Sequence, residues 1–108
     1  MKPVIGVMPL VDEKKDSLWM LPGYMDGISA AGGIPVMFPI TEKETDIAEL
    51  ICKVDGILLT GGHDVDPAIY GEEAINSSVV PCIQRDRMES EVVRQAIDKD
   101  MPVLGICR

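Results

Sequence analysis

An open α/β sheet, parallel and covered by helices on both faces, is the fold class that this sequence predicts. Three observations carry it. Short apolar runs recur at residues 4–9, 34–38, 56–60 and 102–106. They show no polar alternation, which fits strands covered on both faces rather than half-solvated antiparallel ones. Between them lie stretches with apolar residues at helical spacing, and glycine or proline marks the junctions. The order β-α-β-α-β-loop-α-β with right-handed crossovers then builds one sheet from a single domain, residues 1–108.

Each element has its own signal. The first strand follows one lysine and one proline, a start that leaves no room for a signal peptide. Residues 12–16 are charged and read as a loop. Pro22 suits the first turn of a helix, where its missing N–H is not needed. Met20, Tyr24, Ile28 and Ala31 recur at helical spacing around it. Gly32-Gly33 stops this helix, because glycine tolerates the left-handed position at a C-terminus. After the second strand, Thr41 is the expected N-cap, with Glu44 at capping-box spacing. Ile47, Leu50, Ile51 and Val54 give the second helix its inner stripe.

Residues 61–83 break the rhythm. Gly61-Gly62, Asp66-Pro67, Gly71, Asn76-Ser77-Ser78 and Pro81 crowd turn formers into one loop. Loops of this length in a compact domain are usually functional or mobile. Asp86 is the expected N-cap of the third helix, answered by Glu89. Met88, Val92, Val93, Ala96 and Ile97 are its expected inner face. Pro102 opens the fourth strand, which runs straight into Cys107 and Arg108.

Composition narrows the function classes. A net charge of -8 disfavours nucleic acid and anionic membranes as partners. No apolar run approaches the roughly 20 residues that span a bilayer. The three cysteines, Cys52, Cys82 and Cys107, are odd in number and widely spaced, which suggests neither a disulfide framework nor a zinc site. The setting they imply is reducing and cytoplasmic. No metal or cofactor is expected.

The chemistry gathers at two strand ends. Ligands of open α/β sheets bind beyond the carboxyl ends of the strands. The fourth strand delivers Cys107 there, on the kind of sharp strand-to-helix turn that presents a nucleophile. The third delivers Gly61-Gly62, whose lack of Cβ lets a backbone N–H approach a ligand. Each feature also has a plain structural account. A buried cysteine can simply pack, and paired glycines can simply turn. His63, the only histidine, reads as a solvated loop residue, and Asp64 and Asp66 as a turn before Pro67. Cys52 and Cys82 read as inert thiols, Trp19 and Tyr24 as packing.

Five groups of residues together resemble a known family. They are Leu58-Leu59-Thr60-Gly61-Gly62, Asp64-Val65-Asp66-Pro67, Tyr70-Gly71-Glu72, Arg85-Asp86 with Glu89, and Gly105-Ile106-Cys107-Arg108. Gly32-Gly33-Ile34-Pro35 fits the same pattern. The chain resembles the class I glutamine amidotransferase-like superfamily, and within it the gamma-glutamyl-gamma-aminobutyrate hydrolase branch of cysteine hydrolases. The resemblance implies a flavodoxin-like strand order of 2-1-3-4. It also implies that Cys107 is the nucleophile and that the amides of Gly62 and Arg108 bind the oxyanion, with Gly61 beside them. The implied substrate is a small gamma-glutamyl amide. The family's histidine and its acidic partner lie beyond the nucleophile, so the chain reads as the front part of such an enzyme. The remainder is expected downstream or as a second chain, and a further copy of this chain is an open option as partner. Two other readings stand beside it: an amidotransferase domain that supplies ammonia to a synthetase, and a non-catalytic α/β module in which Cys107 only packs.

Overall fold

The computed structural model of the chain describes residues 1–12, 14–61 and 83–106. In chain order the elements are β1 (Val4–Val7), β2 (Leu10–Asp12), β3 (Ser17–Trp19), α1 (Pro22–Ala30), β4 (Ile34–Met37), α2 (Glu44–Cys52), β5 (Gly56–Leu59), α3 (Ile83–Asp98) and β6 (Val103–Gly105). The main sheet runs β4-β1-β5-β6 and every pair in it is parallel. These are the second, first, third and fourth strands of the sequence reading. The numbers differ from 2-1-3-4 because a hairpin, β2–β3, is inserted between β1 and α1.

The expected loop is the turn of that hairpin, at residues 14–16, and the two short strands flanking it are an addition to the sequence reading. Leu10 pairs with Trp19, Val11 with Leu18 and Asp12 with Ser17. Its turn uses the charged residues: Asp12 Oδ1 accepts the Lys15 N–H at 3.1 Å, and Asp16 takes a φ of 47°. Short polar side chains satisfy turn backbone and tolerate that left-handed region. Each strand is three residues long, too short for a period of two to register in the sequence.

Strand alternation assigns the two faces. On one, Met8, Phe38 and Ile57 meet Ile47 and Ile51 of α2 and Met88 and Val92 of α3 in a buried cluster. On the other, Ile28 of α1 lies with Ile5, Leu58 and Leu104 around an apolar groove of about 330 Å³. No residue of α1 is fully buried, so among the described residues this second face is only partly covered.

The helix boundaries confirm one expectation and correct two. At the end of α1, Gly32 takes a φ of 95°. Its N–H donates to Ser29 O at 3.1 Å, and the Gly33 N–H donates to Ile28 O at 3.0 Å. This is a Schellman stop, which the paired glycines announced. Thr41, however, does not cap α2. Lys43 occupies the N-cap position with no side-chain bond, and Thr41 Oγ1 instead accepts the Lys43 N–H at 3.2 Å. Asp86 does not cap α3 either, because α3 already includes Ile83 and puts Asp86 inside its first turn. Glu89 pairs with Arg85 at i−4. On the expected inner face Met88, Val92 and Ala96 are fully buried, whereas Ile97 is 70% exposed. One residue of helix is 100° of rotation, enough to turn Ile97 away from the sheet.

Candidate active site at the carboxyl edge of the sheet

The sheet register brings the two informative strand ends side by side. β5 and β6 are parallel neighbours with Leu59 opposite Gly105. The Ile106 N–H donates to Leu59 O at 2.9 Å, so the pairing continues to the residue before the cysteine. Gly61 leaves the adjacent strand at the same edge, and it is buried. The other residues singled out in the sequence, Gly62, His63, Asp64, Asp66, Cys82, Cys107 and Arg108, lie outside the described residues. The register thus fixes the approach to Cys107 and to the paired glycines.

Beneath this edge lies a polar network that the sequence reading missed. Arg85, near the start of α3, has no exposed surface. Its Nη1 donates to Gly61 O at 2.6 Å, and its Nη2 donates to Thr60 O at 2.8 Å and Thr60 Oγ1 at 3.3 Å. Its Nε donates to Glu89 Oε2 at 2.8 Å. The Thr60 hydroxyl donates in turn to Met8 O at 2.8 Å. From the α1 side, Tyr24 Oη accepts the Gly61 N–H at 3.1 Å. Tyr24 therefore does more than pack. Among the described residues no buried side-chain nitrogen or oxygen lacks a partner, as a buried charge requires.

A signal for Arg85 does exist in the sequence. Arg85, Met88, Val92 and Ala96 follow one helical stripe, so the arginine extends the buried face by one turn. A cation in line with an apolar stripe must be paired, and Glu89 stands at i+4.

Other candidates sit apart from this edge. Cys52, at the end of α2, is an exposed free thiol with Lys99 Nζ 2.7 Å from its sulfur. Trp19 is 42% exposed on the hairpin. Among the described residues no group of three or more His, Cys, Asp or Glu side chains is placed to hold a metal ion. No described helix is long and apolar enough to cross a membrane.

Fold and edge together define an open α/β protein of the glutamine amidotransferase-like class. The peptidase C26 family pattern matches residues 3–108, and the chain belongs to that family. Among its relatives is a Mycobacterium tuberculosis protein provisionally named a glutamine amidotransferase, 34% identical across 99% of this chain and 37% of its own length. A glutamine amidotransferase-like protein of Rickettsia prowazekii, also provisionally named, is 36% identical across 99% of this chain and 41% of its own. The gamma-glutamyl-gamma-aminobutyrate hydrolase of Escherichia coli K12 is 32% identical across 98% of this chain and 42% of its own. The chain thus spans about two fifths of the length of the curated relatives it matches.

Proposed function

We propose that the intact protein is a cysteine hydrolase of gamma-glutamyl amide bonds, with Cys107 as its nucleophile. The observation that carries this reading is the register of β5 and β6, which leads Gly61 and Ile106 to one edge of a peptidase C26 sheet. In the proposed reaction the Cys107 thiolate attacks the gamma-glutamyl carbonyl carbon. The carbonyl π electrons move to oxygen, and that oxyanion is held by the amides of Gly62 and Arg108. The C–N bond then breaks, and the amine leaves with a proton from a general acid, assigned to a histidine beyond Arg108. Water attacks the gamma-glutamyl thioester, releases glutamate and restores the thiol. The substrate is a small gamma-glutamyl amide of the kind that the name of the E. coli relative gives.

The full-length protein tests this directly. Cys107→Ser is expected to abolish hydrolysis of gamma-glutamyl-gamma-aminobutyrate, whereas Cys52→Ser and Cys82→Ser retain most of it. Only the thiol at the strand end is expected to have thiolate character. Near-normal turnover by the Cys107 variant would remove the assignment. The names of the Mycobacterium and Rickettsia relatives favour a second reading, an amidotransferase that passes ammonia to an acceptor enzyme. Faster ammonia release from glutamine than hydrolysis of gamma-glutamyl-gamma-aminobutyrate would decide for it.

A further inference from the structure

We propose that Arg85 is a positioning residue for the end of β5 that supplies the oxyanion donor, a role that rests on the acyl-transfer reading above. Withdrawing a guanidinium from water is costly, and a well-packed apolar residue of similar volume would often stabilise a core at least as well. Stability alone therefore does not account for a fully buried Arg85. Its geometry does. One planar fork takes the carbonyls of Thr60 and Gly61, two successive residues. In a regular strand successive carbonyls face opposite neighbours. Drawing both to one group ends the strand and fixes the plane of the peptide that begins at the Gly61 carbonyl.

A trans peptide is planar, so fixing its carbonyl fixes the direction of the N–H on its far side. That N–H is the donor used in the proposed mechanism. A hydrogen bond to the carbonyl also polarises the peptide and strengthens the N–H as a donor. Tyr24 Oη holds the preceding N–H, that of Gly61, so Gly61 is anchored at both its N–H and its carbonyl. Glu89 orients the fork through Nε. A lysine cannot replace it, since an ammonium is a point charge that cannot hold two carbonyls in one plane.

The test uses the full-length protein with gamma-glutamyl-p-nitroanilide as substrate and iodoacetamide as a second probe of Cys107. Alkylation displaces iodide from carbon and forms no oxyanion, so it reports thiol access and reactivity without the donor. In Arg85→Lys, kcat is expected to fall roughly 10²-fold, the usual loss for one oxyanion donor, with KM and the Cys107 alkylation rate each within about twofold of wild type. If Arg85→Lys does not fold, Glu89→Gln keeps the size and an acceptor for Nε while loosening the fork. There kcat is expected to fall roughly 3–10-fold with the same unchanged KM and alkylation. Unchanged kcat would overturn the proposal, and so would parallel loss of turnover and alkylation, which marks general disruption of the fold. Turnover retained in Cys107→Ser would overturn the underlying reading and this proposal with it. An inactive Cys107→Ser beside a normal Arg85→Lys would overturn this proposal alone.

Discussion

Gly6 faces Phe38 so closely that a Cβ there would overlap the aromatic ring. Phe38 is 2% exposed and cannot swing aside into solvent. Gly6→Ala is therefore expected to destabilise the protein by roughly 1–3 kcal/mol, the usual range for overpacking. Gly27, in α1, has nothing within 4 Å of the position a Cβ would take. Gly27→Ala is expected to gain roughly 0.5–1 kcal/mol from helix propensity alone. Urea midpoints of the two variants, moving in opposite directions at similar slope, check both. Neither difference can be read from the word glycine. The sequence marks Gly6 only as a small residue within an apolar run, and its partner stands across the sheet. Arg85 is a different case, since its place on the stripe with Met88 and Val92 was visible. What the stripe could not supply is the identity of the groups that face it.

At the scale of elements, α3 has two faces with separate chemistry. Its buried side carries Arg85 and the core. Toward solvent the helix carries a cluster in which Arg94 Nη2 and Nε donate to Glu91, and the buried Gln95 Nε2 adds a bond of 3.0 Å from the margin of the core. These donors, the Arg94 hydrogen bond first, pull the Glu91 carboxyl from 4.5 down to about 2. A carboxyl lowered on folding stabilises the native state above its unfolded pKa and loses that contribution as pH falls. The loss falls in the window from 4.5 down to about 2. Glu91→Gln is expected to lower stability slightly at neutral pH, to flatten the acid limb, and to converge with wild type near the bottom of that window. Urea midpoints across a pH series measure this, and parallel curves would contradict it. The existence of α1, α2 and α3 was legible from period and punctuation. The caps expected from Thr41 and Asp86 were not formed, because capping spacing is local while helix starts are set by how the chain enters from the sheet.

For the whole molecule, the uneven covering of the sheet matters most. α2 and α3 close one face, whereas the other leaves an apolar groove beside α1. Among the described residues β6 pairs only with β5, and Leu104 on it is 61% exposed. An apolar edge strand is a template for association. Residues 1–108 produced alone are expected to self-associate and to turn over no gamma-glutamyl amide, measured by sedimentation and by release of p-nitroaniline. Robust turnover by a monodisperse sample would make His63, the only histidine in the chain, a candidate for the base. By itself the sequence determined what neighbouring residues can encode: four apolar strands, three helices and the glycine stop after α1. These depend on side-chain period and backbone preference within a few residues. Only the tertiary structure decided that Gly61 is held by Tyr24 and Arg85, which stand 37 and 24 residues away in the chain. It also decided that Gly6 lies under Phe38 and that residues 10–12 and 17–19 pair as a hairpin. Such pairings arise when separate elements pack, and hydrogen-bond partners chosen across a sheet leave no periodic trace along the chain.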